Sequence, residues 1–484
     1  MILDPVPFSR AQPSGNSHFK QRALSSFIAF LEKRLGGSFV YDSREIPFNR
    51  DDLVEPLALA ALLKKAGVAD IITPARTLSD EPPMKKWSVR LAHAKSEDES
   101  WSRGCDATND TQALYAALSE ALERHIWSFE KDYFDSPIEA TEVEMQKRHM
   151  TFLSPSIFAG FGPSQRAENP HLDLQSDAKY LWIRGISLIS GKKVYLPAQT
   201  VCGVHLNCKE PLIRPRVTTG LATWPNKAGA RVRGALEALE RDAFMILWAN
   251  QLVLPRLSLN DLRSRSASLR DMVERCKRYR LKVHAVRLLT DAPTHVASVI
   301  LEDMSGNAPR FTIGNKAGAN LASCVEHALF EALGARLTYR FFFLSQNWKE
   351  RWDPKTPAER IGHMDRLYWW GESDNAKNLE FLIAGDEGRA TESEWEHDTD
   401  EEHGARIVEW CRARGYECVS VALGASKSNP TSLFVETVVV PQLQPLHLVE
   451  NQQALFGARL GDIPRMFGYT PRQKSFSESP HPFC

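Results

Sequence analysis

Apolar positions along this chain follow two periods that alternate from one end to the other. Ala23 to Leu35 and Leu53 to Ala66 carry apolar residues at helical spacing, and each run stops at glycine, Gly36-Gly37 and Gly67. Trp87-Ser-Val-Arg-Leu-Ala-His alternates apolar with polar and predicts a strand, followed by a helix over about Thr111 to Glu130. Leu181 to Val204 predicts a hairpin turning at Gly191, and a long helix then runs through Phe244, Leu247 and Trp248 and ends before Pro255. Leu262 to Tyr279 predicts a helix with a basic face and Lys282 to Leu289 a strand. Val296 to Glu302 and Phe311 to Gly314 are further strands that feed a third long helix. Residues 348–403 are rich in Asp, Glu, Trp and Lys and lack a period. We read them as a surface insertion with one or two helices, and their acidic run Glu392 to Glu402 as a solvated face. Ala405 to Arg414 predicts a helix, and Glu417 to Ala422 and Leu433 to Val440 strands. Strands alternating with helices throughout predict an α+β (α/β) fold with helices laid against mixed sheet.

The three long helices repeat one pattern. Gly104-Cys-Asp-Ala-Thr leads into Ala117-Leu-Ser-Glu120-Ala-Leu-Glu123-Arg124. Thr219-Gly220-Leu-Ala-Thr leads into Ala235-Leu-Glu237-Ala-Leu-Glu240-Arg241-Asp242, and Gly314-Asn-Lys-Ala-Gly into Ala328-Leu-Phe-Glu331-Ala-Leu-Gly334-Ala-Arg336. A glycine turn followed by a helix, three times over, is an internal repeat. Carboxylates three apart share a helix face, about 5–6 Å apart at Cβ, and repel one another. A cation between them, or a solvated face, makes such pairs tolerable. Glycine turns at helix starts offer N–H groups to phosphate. Carboxylates from several helices suit Mg2+, and Arg124 and Arg241 suit bidentate phosphate clamps. The residues alone leave two readings, an unusual ATP or phosphate site or a structural ion-pair core. The sequence has no Walker A motif, kinase set or Rossmann fingerprint.

Composition narrows the class. Sixty basic and 60 acidic residues give a net charge of zero, so no global field draws the chain to nucleic acid or an anionic membrane. No apolar run is long enough to span a bilayer, and the N-terminus lacks a signal-peptide h-region, so we expect a cytoplasmic protein. Eight scattered cysteines are too few for a disulfide scaffold. Cys202-x-x-His205-x-x-Cys208 has no second ligand pair at zinc-finger spacing, and we read Cys202 as buried rather than metal-bound. A chain of 484 residues implies one large unit plus an accessory region.

The repeated motifs, with Val438-Val-Val-Pro-Gln-Leu-Gln-Pro-Leu-His447 and a proline-rich C-terminus, resemble the YcaO superfamily, in its branch of azoline-forming cyclodehydratases. The resemblance covers about residue 85 to the end. It implies a YcaO-type fold: an accessory region over 1–85, a YcaO domain over 86–484, the insertion about 348–403 and a proline-rich tail over 470–484. It also implies ATP-dependent conversion of Cys, Ser or Thr in a ribosomal precursor peptide to thiazoline or oxazoline, by phosphorylation of the backbone amide oxygen. Glu120, Glu123, Glu237 and Glu240 would face Mg2+ and ATP, with Arg124, Arg241, His327 and Glu331 completing the nucleotide site. The tail residues Pro480, His481, Pro482 and Cys484 would act at the reacting amide. The implied partners are the precursor peptide and a separate E1-like leader-binding protein, since residues 1–85 are too short for that module. An FMN-dependent azoline dehydrogenase and homo- or hetero-oligomeric assembly also fit the resemblance. The chain departs from the family pattern at Ala116, where serine is frequent, and at Trp224-Pro225-Asn226-Lys-Ala-Gly229, where Gly-Asn-x-x-x-Glu is usual. It departs again at His327 for arginine, Gly334 for glutamine and Cys484 for the last tail proline. Two alternatives follow: a non-catalytic peptide-holding subunit, or a sister activity forming thioamides or amidines.

Overall fold

The computed structural model describes residues 50–75, 78–92, 101–128, 137–175, 177–203, 210–344, 352–353, 355–357, 360–362, 365–423, 429–472 and 479–483. The helix expected over Ala23 to Leu35, and His205, Cys208 and Cys484, lie outside them.

Helix α1 (Arg50–Lys65) is followed by strands β1 (Ala69–Pro74), β2 (Lys85–Leu91) and β3 (Trp101–Asp106), which form one antiparallel sheet in that order. Helix α2 (Asp110–Ser128) packs on β2 and β3. A second sheet runs β4 (Ile138–Ala140), β5 (Tyr180–Ser187), β13 (Val419–Leu423), β14 (Phe434–Val439) and β7 (Leu221–Trp224), with β6 (Lys193–Pro197) paired to β5. Helix α3 (Lys227–Asn250) crosses β14 and β7. The third sheet has the order β11 (Phe311–Gly318), β10 (His295–Asp303), β9 (Leu281–Arg287), β8 (Arg256–Leu257) and β12 (Glu387–Gly388). One face of this sheet meets α3 through Phe244, Leu247 and Trp248. The other meets α4 (Ala267–Arg278) and α5 (Leu321–Leu344) through Met272, Cys276, Val325 and Leu329. Helices α6 (Asp365–Gly371), α7 (Asp400–Ala413) and α8 (Arg459–Met466) follow toward the C-terminal end. The fold is α+β, as the alternation of periods predicts.

Two elements differ from the pattern the sequence predicts. The helix expected over Leu262 to Tyr279 is two, because Ser266 leaves the helix and caps α4, accepting from Leu269 N at 3.1 Å after a first turn at Leu259–Arg263. The stretch 348–403, expected at the surface, sends Leu367, Trp370, Leu379 and Leu382 into the core that holds Trp248. Its lack of period has a cause: Ser373–Ile383 is a 3-10 helix, whose spacing differs from the α-helical 3.6. In the acidic run, Glu396 is buried rather than solvated, accepting from Leu321 N at the start of α5 and pairing with His295 Nε2, both at 3.0 Å.

Candidate functional site

The three repeats are strand–helix units, β3–α2, β7–α3 and β11–α5, and their helices start alike. Asn109, Asn226 and Asn320 stand at the same offset before Glu120, Glu237 and Glu331. Each caps its helix, accepting from Gln112 N at 3.1 Å, Gly229 N at 2.7 Å and Ser323 N at 2.8 Å. One first-turn N–H of each helix is thus taken by its own cap, and the helix starts lie roughly 16 Å along the axis from the glutamates. Gly104 lies within β3 and Gly314 within β11 rather than at the helix starts. The glycines instead serve close packing: a Cβ on Gly104 would sit 2.1 Å from Ala113 O, and one on Gly314 2.1 Å from Ala328 O. Asn226 is a cap, not a displaced ligand, and Arg233 covers Trp224 of that turn at 3.2 Å from the ring centre.

The first glutamate of each helix holds its own strand. Glu120 Oε2 accepts from Arg103 N at 2.7 Å, Glu237 Oε2 from Gly220 N at 2.7 Å and Glu331 Oε2 from Asn315 N at 2.8 Å. The second glutamate reaches the next unit. Glu123 Oε1 accepts from Thr223 N of β7 at 2.6 Å, and Glu240 Oε2 from Ala317 N of β11 at 3.0 Å. Helix α5 packs against β3, so the three units close on one another. At this third junction Gly334 replaces the carboxylate, and Lys86 Nζ donates to its carbonyl at 2.9 Å. Arg124 pairs with Glu120 at 2.7 Å and Arg241 with Glu237 at 2.8 Å, each one turn on. Arg241 also donates to Thr219 Oγ1 at 2.9 Å.

The carboxylates feel one another. Burial raises Glu123 to about 8, and the charges of Glu237 and Glu120 add to it. Burial raises Glu240 to about 8, opposed by Lys316 and reinforced by Glu331 and Glu237. Burial also raises Glu331. Glu123, Glu240 and Glu331 form no ion pair among the described residues. Buried and unpartnered beside them are Arg241 Nε and both amide atoms of Asn315. Hard carboxylate oxygens, mutually repelling and three of them without an ion pair among the described residues, fit Mg2+. Arg103, Arg124, Arg241 and Lys316 around them fit phosphate oxygens. Sequence reasoning missed Arg103, Lys316, Thr219 and Asn315; the shared asparagine offset was the signal that aligns the repeats fully. His327, one turn before Glu331, is exposed, and its Nδ1 donates to Ser323 O at 2.8 Å.

The tail comes to this ring. Pro482 and Phe483 line a cavity with Glu331, Ala335, Tyr339 and Trp370, and the Phe483 ring lies 5.8 Å from the Arg241 guanidinium. His481 turns instead toward His447 and Phe244. Cys202 is buried with its thiol on Ala198 O at 3.3 Å.

The raised carboxyls set a pH dependence. The folded chain keeps protons on Glu123 and Glu240 that the unfolded chain has released, between a pKa of about 4.5 and about 8. Stability without metal should therefore fall as pH rises through that window. Added Mg2+ should restore Tm at the alkaline end and do little at the acid end, with proton release seen by calorimetry in two buffers. A Tm gain from Mg2+ that is equal at both ends would contradict the cluster's ionisation.

A family model described as "YcaO cyclodehydratase, ATP-ad Mg2+-binding" matches residues 105–444. No curated protein matches the chain. Among solved structures the chain is similar to a heterocyclase in complex with substrate and cofactor, with TM-score 0.70 and 18% identity over 94% of this chain and 60% of that one. It is similar to YcaO from Methanopyrus kandleri bound with AMPPCP and Mg2+, with TM-score 0.58 and 18% identity over 84% of this chain and 94% of that one. The E. coli microcin synthetase McbBCD complex gives TM-score 0.54 and 12% identity over 77% of this chain and 87% of that one. The chain spans about three fifths of the heterocyclase's length. At these identities the likeness is one of fold. No described helix is long and apolar enough to cross a membrane.

Proposed function

The chain belongs to the YcaO family, and from that premise we propose that it cyclodehydrates Cys, Ser or Thr residues of a ribosomal precursor peptide in an ATP-dependent reaction. The observation that carries this reading is the cluster of carboxylates from three helices, Glu120, Glu123, Glu237, Glu240 and Glu331, with Pro482 and Phe483 seated beside it. In this reading Glu120, Glu123, Glu237 and Glu240 hold Mg2+, Glu331 closes the ring, and Arg124, Arg241 and Lys316 hold phosphates. ATP, when bound, supplies the phosphoryl group that lets the amide oxygen depart as phosphate. The chain's own residues then have two tasks: to keep the carboxylates in place, and to fix the peptide amide beside them. Strand N–H groups do the first, because each holds one carboxylate oxygen toward its strand. The tail segment Pro480–Phe483 does the second. The substrate side chain attacks the preceding carbonyl, and ring closure expels water overall. A separate E1-like protein brings the leader peptide, and an FMN-dependent dehydrogenase oxidises azoline to azole where the complex contains one.

The test is mass. The protein is incubated with ATP, Mg2+, its partner and a Cys- and Ser-containing precursor, and the peptide is weighed. Loss of one water per ring supports the reading. Intact peptide with no phosphate release assigns the chain to a peptide-holding role, and a gain of sulfur in place of oxygen assigns thioamide formation.

A further inference from the structure

Behind the tail lies a second cluster. His447, Glu450 and His481 bring ligand-type atoms within 4.8 Å of one another, and all three are at most 2% exposed. Two histidines and a glutamate are a metal-ligand set, but the charges oppose a metal here. Glu450 Oε1 accepts from Arg366 Nε at 3.0 Å and Nη2 at 2.5 Å, and Oε2 from His447 Nε2 and Gln453 Nε2, both at 3.1 Å. A fully buried guanidinium already neutralises the carboxylate, whose lone pairs are taken. A divalent ion would meet that guanidinium at close range in a medium of low dielectric.

The cluster grips something else. The His447 carbonyl accepts from Arg366 Nη2 at 3.0 Å and from His481 Nε2 at 2.5 Å. His481 stands edge-on to His447, with ring centres 4.7 Å apart, and to Phe244 at 6.1 Å. Phe483, two residues on, packs on Phe244 at 5.4 Å. Phe244 lies one turn beyond Glu240 on α3. The tail therefore runs from the Arg366 network to the carboxylate ring over one helix.

We propose that Arg366, Glu450 and His447 form a buried latch that fixes Pro480–Phe483 against the carboxylate ring, making them positioning residues for the step at the peptide amide. The proposal rests on the cyclodehydratase reading. A buried ion pair contributes little net stability compared with an apolar replacement, so fixing one geometry is the role left for it.

Arg366→Met together with Glu450→Gln removes both charges and strands neither. In the full chain with its partner, kcat for ring formation should fall about tenfold, while peptide KM and the ATP Kd stay within about twofold. Amide hydrogen exchange over 479–483 should quicken about tenfold. His481→Phe leaves the charged network whole and should reproduce both effects. Combining all three substitutions should be no worse than the more severe parent, because all act through one contact. Unchanged tail exchange, additive losses, or stoichiometric zinc in the purified protein would each overturn the latch. Wild-type protein that makes no ring, in which tail exchange still answers to the substitutions, overturns the cyclodehydratase reading and leaves the latch as a tail anchor.

Discussion

Glu240→Gln is expected to cost ring formation about 100- to 1,000-fold and yet give a more stable protein. The side chain is 7% exposed and keeps the size and the acceptor that Ala317 N needs, so packing is preserved. What changes is charge. The Glu240 carboxyl titrates at about 8 in the fold and near its ordinary value unfolded, so above that range the fold carries a buried anion beside Glu331 and Glu237. Glutamine carries none. The variant should melt about 2 °C higher near pH 8.5 and gain nothing near pH 5, where the carboxyl is neutral in the fold. Its response to Mg2+ should shrink as well. Activity assays with melting curves at both pH values check this. Lower stability near pH 8.5 would mean that the carboxylate is a structural acceptor and that the ring is an ion-pair core, which the residues by themselves allow.

That choice was open in the sequence for a physical reason. The repeats were visible because a helix packed backbone-to-backbone on a strand needs small residues, hence Gly104 against Ala113 and Gly314 against Ala328. The glutamates and arginines stood out as like and unlike charges on one helix face. Which strand each glutamate reaches was not visible. The bond from Glu123 to Thr223 N joins two units far apart in the chain, and no local period records it. The asparagine caps were present at one offset in all three copies. The residues before them differ, Ala-Thr before Asn109, Trp-Pro before Asn226 and Gly-Ala before Asn320, and that hid the match. The tail was assigned by its prolines, but its contacts are not made through them alone. His481 is held by the His447 carbonyl, which Arg366 also meets from a stretch without any period, and Phe483 packs on Phe244.

Ala335→Arg should cut ring formation about 100-fold and leave nucleotide binding close to wild type. The expectation comes from laying the units over one another. One turn after the first glutamate, the first two units place Arg124 and Arg241, each paired with its own glutamate. The third unit places Ala335, and there the guanidinium's room is taken by Pro482 and Phe483. An arginine at 335 would find Glu331 at the spacing that its counterparts use, and the pair would form in the tail's seat. The i,i+4 pair itself adds only about 0.3–0.5 kcal/mol, so its effect is steric rather than electrostatic. Evicting Phe483 also uncovers Phe244 and Trp370 around the cavity, which fluorescence and exchange over 479–483 would register. A chain lacking 479–484 should show the same loss, and adding Ala335→Arg to it should cost nothing more. Full ring formation by Ala335→Arg with a displaced tail would remove the tail from the chemistry. The same result with the tail still seated would mean that the cavity has room for both, and the third unit's missing arginine would then have no bearing on where the tail lies.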